Sequence, residues 1–303
     1  MKVELISHTQ NPYDIVAEAA GVCYSSEDIH EMMKNMSDTK RLNLIKKLEG
    51  SKHESPFEHV SFTFAISGIS RVCSHQLVRH RLASYSQRSQ RYVNESGFGY
   101  VVPPEVKKNK QLLLYYDNCM DEISLNYEIL KYNIAHQKIR KYWIDHGVEI
   151  EEFTGSTITI EEGIKITNEF KDENPALYNK IMKEAGEDAR FVLPNACETQ
   201  LVMTMNVRSL WNFFNLRCCN RAQWEINELA WKMRDILVSK YPYLFIHSGP
   251  DCLNGDCKEG GKSCKHPYHM DTLYIDGEPY LTMCTDGIRA HNIEFKDGED
   301  HGV

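Results

Sequence analysis

The sequence predicts an α/β fold in which helices flank a central sheet, mixed or antiparallel, with no Rossmann unit. Three observations carry this. Val60, Phe62, Phe64 and Ile66 alternate with His59, Ser61, Thr63 and Ser67, the period-two pattern of a half-buried strand. After Gly68 the period changes, and Ile69, Val72, Cys73 and Leu77 fall on one helical face that His80 continues. Gly97-Phe98-Gly99 begins like a dinucleotide fingerprint, but Val102 stands where the third glycine belongs.

The remaining elements follow in order. Residues 2–6 alternate and form a short strand. Asn11-Pro12 starts a helix through Cys23, with proline in its first turn. A second helix runs from a Ser37 cap to Glu49 and ends at Gly50. Residues 95–104 are a turn-rich break, and 107–146 form one or two polar amphipathic helices. Residues 150–175 are acidic and poorly periodic, as in an insertion. Helix resumes near Pro175, reaches Phe191 and stops before Pro194. Residues 199–205 read as a strand, and 207–216 and 221–240 as helices. Asn220 followed by Gln223 resembles a capping box, which starts the second helix there and leaves Arg217 at the junction. Pro242 ends that helix. From Ser248 the composition shifts to Gly, Cys, Lys and Asp, with little helix. The expected organisation is a domain over 1–247, with an insertion near 107–175, and a C-terminal extension over 248–303.

Charge narrows the function. The 303 residues carry 35 Lys and Arg against 43 Asp and Glu, a net charge of −8, which argues against a general nucleic-acid coat. Residues 71–91 break that balance. They hold Arg71, Arg79, Arg81, Arg88 and Arg91 and no acid, so a local anion site is expected. No apolar run spans a bilayer, and Glu4 stands where a signal peptide would be apolar, so no membrane partner and a cytoplasmic location are expected. Ten scattered cysteines, none in a Cys-x-x-Cys pair, read as reduced thiols.

The strongest chemical signal is Arg79-His80-Arg81 followed, after seven residues, by Ser89. On a helix, Arg79 and Arg81 would lie about 200° apart and could not share a ligand unless the helix ended there. That spacing suits two anionic groups on two sides, or two different ligands. Residues 84–90, rich in Ser and Gln, make a poor helix interior and a good loop, whose hydroxyls and amides can bond a phosphate or a base edge. Arg91 can fork onto a phosphate.

This motif resembles the signature of the flavin-dependent thymidylate synthases. Three further blocks resemble that family in the same order: His53-Glu54-Ser55-Pro56-Phe57-Glu58-His59, Ala189-Arg190-Phe191-Val192-Leu193-Pro194, and Asn206 to Arg217 continuing into Ala222-Gln223-Trp224-Glu225-Ile226. The resemblance implies the family's own fold, a homotetramer with shared active sites, and a reaction. dUMP is methylated to dTMP with carbon from methylenetetrahydrofolate, and FAD reduced by NADPH supplies the hydride.

Residue roles follow from the same resemblance. Gln76, Arg79, Ser89, Gln90, Arg91, Arg190 and Arg217 match positions that hold the nucleotide. Ser55, Arg79, His80, Arg81, Gln87, Asn206, Val207, Arg208 and Asn212 match the flavin side. Some members carry Glu at the position of Gln87, so the charge is absent here. Arg217 matches the arginine that favours ionisation of the uracil, and His53 a histidine near flavin and folate. A guanidinium suits the first role, because it stabilises an anion without giving up a proton. No cysteine is expected as nucleophile.

Two other patterns point elsewhere and fail. Gly260-Gly261-Lys262-Ser263 suggests a phosphate loop, but Asp256 occupies its first glycine position. Cys252, Cys257, Cys264, His266 and His269 have irregular spacing for zinc, and no metal is expected. The rival to an enzyme is a non-catalytic nucleotide- or RNA-binding module that uses the Arg/Ser loop.

Overall fold

The computed structural model describes residues 1–284 apart from 35, 52, 92, 94, 150–156, 254, 276 and 277. In chain order come β1 (Lys2–His8), α1 (Pro12–Tyr24), α2 (Ile29–Lys34), α3 (Asp38–Ser51), β2 (Ser61–Ser70), α4 (Arg71–Leu77) and β3 (Ala83–Gln87). Then follow α5 (Pro104–Lys107), α6 (Lys110–Asp145), α7 (Ile160–Glu173), α8 (Pro175–Ala189), β4 (Glu198–Asn206), α9 (Val207–Arg217), α10 (Trp224–Lys240) and α11 (Pro242–Phe245). A hairpin of β5 (His269–Ile275) and β6 (Glu278–Cys284) closes the series. The chain divides into two compact units. The first comprises residues 1–67, 73–86 and 200–303, and the second 68–72 and 87–199.

The first unit is built on the four-stranded sheet, in the order β1-β2-β4-β3. β1 runs antiparallel to β2, from Lys2 opposite Ser67 to His8 opposite Phe62. β2 and β4 are antiparallel too. The Val207 N–H donates to the Val60 carbonyl at 2.9 Å, and the Thr63 and Thr204 hydroxyls meet at 2.9 Å, so numbers rise on one strand as they fall on the other. Of the two expected sheet types, these three strands are the antiparallel one.

Alternation decides which face is covered. Phe62, Phe64 and Ile66 of β2 and Met203 and Met205 of β4 are at most 2% exposed. Each such side chain stabilises the fold by about 1.5–3 kcal/mol. Phe213 and Phe214 of α9 and Trp231 of α10 are equally buried, and Phe62 meets Phe245 edge-on at 5.3 Å.

Several element boundaries differ from the expectation. The Gln223 side chain accepts from the Glu225 and Ile226 N–H groups, so Gln223 and not Asn220 caps α10. Asn220 instead bonds the Tyr268 hydroxyl and the His266 carbonyl. Pro242 ends α10 but also opens α11, because proline fits the first helical position. Residues 84–87 of the stretch expected as loop, 84–90, belong instead to strand β3 at the sheet edge. Ala83, Tyr85 and Gln87 are half-buried, while Ser84 and Ser86 face solvent. Period two was present there, but serine and glutamine hid it.

The start of the expected extension is tied down. Buried Arg234 donates to the carbonyls of Ser248 and Ile246. Asn215 donates to the Gly249 carbonyl at 3.3 Å and to Asp251 at 3.0 Å. Residues 285–303 lie outside the described residues.

The second unit is helical. Asn109 caps the 36-residue α6 by accepting from the Gln111 and Leu112 N–H groups. Ala135 and Ile139 of α6, Phe170 of α7 and Ile181 and Ala185 of α8 form one apolar cluster. Residues 160–173, expected as poorly periodic, are therefore a helix. Thr159 and Glu162 form a reciprocal capping box, and the buried stripe is Gly163, Thr167 and Phe170. Two of those three are not apolar, which conceals the period. Gly163 is needed for the approach, since a Cβ there would sit 2.5 Å from the Cβ of Tyr132. Residues 150–156 of the expected insertion lie outside the described residues.

Candidate functional site

The Arg-His-Arg motif follows directly on α4, which stops at Leu77. The Arg79 and His80 N–H groups then close turns onto the carbonyls of Gln76 and Leu77, at 3.4 and 3.1 Å. The helix ends where the motif begins, so the 200° separation does not apply. Arg79, His80 and Arg81 all line one cleft of about 1720 Å³ within the first unit. Arg208, Asn212 and Arg217 of α9 line it as well. Arg208 and Asn212 share a helical face by their four-residue spacing.

The charges of this cleft are unequal in availability. Arg208 is spent on Glu54, at 3.1 Å, and on Glu58, and those hydrogen bonds raise its pKa above the ordinary value. Lys258 pairs with Asp251 at 2.8 Å. Arg79 and Arg81 have no side-chain partner among the described residues. Arg217 donates from Nε to the His80 Nε2 at 3.0 Å and forms no ion pair among the described residues. Three guanidinium groups thus leave net positive charge in the cleft, which suits an anionic ligand. Trp211, Met205, Leu82 and Leu216 add apolar lining.

The other expected residues are placed as follows. The Val207 side chain is fully buried, so only its backbone could meet a ligand. Asn206 caps α9 by accepting from the Ser209 N–H at 2.8 Å. Gln76 lies on α4, and Ser55 is an exposed residue at the start of a short 3-10 turn. The His53 Nδ1 meets the Tyr24 hydroxyl at 2.5 Å.

The second unit holds the rest of the motif. Gln87 donates to the Thr199 hydroxyl at 3.1 Å. The Ser89 hydroxyl accepts from the Arg91 N–H at 3.2 Å, and Gln90 is half-buried beside it in the chain. The Arg88 Nη2 donates to both carboxylate oxygens of Glu95, a residue only 2% exposed, so its charge is structural. Arg91 pairs with Glu187 at 2.6 Å. Half-buried Arg190 has no side-chain partner among the described residues.

Against this geometry stand the comparisons. The family model described as thymidylate synthase complementing protein matches residues 4–243. A flavin-dependent thymidylate synthase of Clostridium tetani is 42% identical over 275 residues, covering 91% of this chain and 97% of the relative. The chain belongs to the flavin-dependent thymidylate synthase family. A second relative of that name, from Geobacter sulfurreducens, is 40% identical over 90% of this chain and 98% of its own length. A solved structure of the flavin-dependent thymidylate synthase from Helicobacter pylori, complexed with FAD and dUMP, matches with a TM-score of 0.48 and 24% identity. That match covers 82% of this chain and 100% of the other.

Sequence reasoning missed one wall of the cleft. Lys46, Glu49 and Gly50 at the end of α3 line it, as do Tyr243 and several residues from Ile246 to Lys258. Burial pushes the Glu49 carboxyl up to about 7. No local pattern marks these positions, because Glu49 sits on a polar helix and 248–258 read as extension. Among the described residues no group of three or more His, Cys, Asp or Glu gathers to hold a metal, and the His269 side chain lies outside them. No helix among them is long and apolar enough to cross a membrane.

Proposed function

We propose that this chain catalyses the reductive methylation of dUMP to dTMP, with methylenetetrahydrofolate as carbon donor. The observation that carries the proposal is the set of guanidinium groups of Arg79, Arg81 and Arg217 around one cleft, none of them in an ion pair among the described residues, in a member of this family. The donor set fits FAD: cations for a pyrophosphate, the Asn212 amide for ring heteroatoms, and Trp211, Met205 and Leu216 for an apolar ring. FAD reduced by NADPH would supply the hydride when bound.

This chain's residues would then do the following. Arg81, His80 and Asn212, with Ser55, Gln87 and the segment Asn206-Val207, hold the flavin, and Arg208 joins them as a hydrogen-bond donor whose charge Glu54 and Glu58 already compensate. Gln76, Arg79, Ser89, Gln90, Arg91 and Arg190 hold the nucleotide, and Arg91 must leave Glu187 to do so. Arg217 stabilises negative charge on the uracil, and its permanent cation suits that task. His53 acts at the flavin and folate side, oriented by Tyr24. A covalent role is disfavoured for the buried Cys73 and Cys197. Burial pushes the Cys197 thiol up to about 12 and the Cys73 thiol higher still, which keeps both protonated.

The catalytic domain in this reading spans 1–247, and 248–303 is an extension whose first residues wall the cleft. A cytoplasmic homotetramer joins residues of several subunits in each site. The decisive experiment is to purify the full chain, look for visible flavin absorption, and assay dTMP formation from dUMP, methylenetetrahydrofolate and NADPH. Yellow protein that makes dTMP supports the reading. Protein that neither retains nor binds FAD and makes no dTMP would leave a non-catalytic nucleotide-binding module.

A further inference from the structure

We propose that His80 is a positioning residue which fixes Arg217 without neutralising it, an inference that rests on the function proposed above. The contact is specific. The Arg217 Nε–H donates to the His80 Nε2 at 3.0 Å, which leaves both terminal nitrogens of the guanidinium without a partner among the described residues. Those two nitrogens form the fork that recognises planar, anionic groups.

His80 is itself held from three sides. Its ring stands edge-on to Phe213 at 5.0 Å and 87°. Its carbonyl accepts from the Tyr85 hydroxyl, which is shared with the Leu77 carbonyl, both at 2.9 Å. Its N–H closes the turn onto Leu77. Burial, and secondarily the Arg217 charge, lowers its pKa to about 4, so the ring is neutral at physiological pH and can accept from a cation. An accepting Nε2 places the remaining ring proton on Nδ1.

The choice of a neutral anchor has a chemical consequence. Arginines are more often fixed by carboxylates, as Arg208 is by Glu54 and Glu58. A carboxylate on Arg217 would offset the charge that the proposed uracil anion needs. A neutral imidazole gives the same orientation and leaves the full positive charge available.

Three variants in the full-length protein test this: His80→Phe, which keeps an aromatic ring but loses the acceptor; His80→Gln, which restores a neutral acceptor; and His80→Glu, which supplies a charged one. Turnover, KM for dUMP, FAD content and melting temperature are measured for each. Because His80 also stands on the flavin side of the proposed site, turnover is measured with FAD in saturating excess, and we expect the Phe variant to lose turnover about tenfold or more under that condition, as small misplacements of catalytic groups do. The Gln variant should recover part of that loss. The Glu variant should melt no lower than the Gln variant yet turn over more slowly. Nitrogen NMR of the wild-type protein without cofactors should show His80 neutral with its proton on Nδ1.

Equal turnover for the Phe variant and wild type overturns the inference, as does a Glu variant as fast as the Gln variant. If the Phe variant fails to fold, the Gln and Glu comparison decides alone. A wild-type protein that makes no dTMP overturns the functional reading instead, and the NMR result still reports on the contact.

Discussion

Replacing Glu49 by Gln should make the protein more stable in alkaline buffer and leave it unchanged in acid. Glu49 sits at the end of α3 in the cleft wall, and burial raises its carboxyl from the ordinary 4.5 to about 7. The folded state therefore favours the protonated form. Below pH 4.5 both folded and unfolded chains hold the proton, and the residue costs nothing. Between 4.5 and 7 the unfolded chain releases its proton while the folded one keeps it, so stability falls with pH. Above 7 both are ionised and the cost is constant. The displacement corresponds to about 3.4 kcal/mol at about 1.36 kcal/mol per pH unit. Glu49 keeps part of its surface in water, which reduces the expected effect to about 2 kcal/mol. Urea denaturation of wild type and Glu49→Gln from pH 5 to pH 8 reads the difference directly. The two stabilities should converge at the acid end and separate towards pH 7, with Gln the more stable. Parallel curves, or a wild type that gains on the variant as pH rises, would refute the assignment of a buried, proton-retaining carboxyl.

Other outcomes follow from the same geometry. Arg217→Ala should retain FAD and lose dTMP formation by about a hundredfold or more in turnover, and a normal rate would remove Arg217 from the proposed chemistry. Changing any one cysteine to Ser should leave measurable activity, since the proposed chemistry uses no thiol, and the buried Cys73 and Cys197 are in addition held protonated. Complete loss with intact flavin and folding would reopen covalent catalysis. Thr159→Ala removes one half of the capping box of α7 and should lower stability by about 1 kcal/mol, read as a lower melting temperature.

Much of the first unit was legible because its core obeys simple periods. Phe62, Phe64 and Ile66 alternate in the sequence as they do in the sheet. The second unit was harder to read. The inward stripe of α7 is Gly163, Thr167 and Phe170, chosen for close approach rather than for hydrophobicity, so its period was invisible. β3 was hidden for a related reason, since an edge strand of Ser and Gln carries no apolar alternation.

The candidate site divides in the same way. By itself, the amino-acid sequence named the residues proposed for the chemistry. The Arg79-His80-Arg81 motif, the helix carrying Arg208, Asn212 and Arg217, and a cluster of cations without acids are local facts of residue type and spacing. Which of those charges remain available was decided by tertiary structure. Arg88 is spent on Glu95 and Arg208 on Glu54 and Glu58, whereas Arg217 meets the neutral His80. These partners lie from 7 to 154 residues away in the chain. The physical reason is that a guanidinium's charge is intrinsic to the residue, while its compensation depends on what the fold packs beside it.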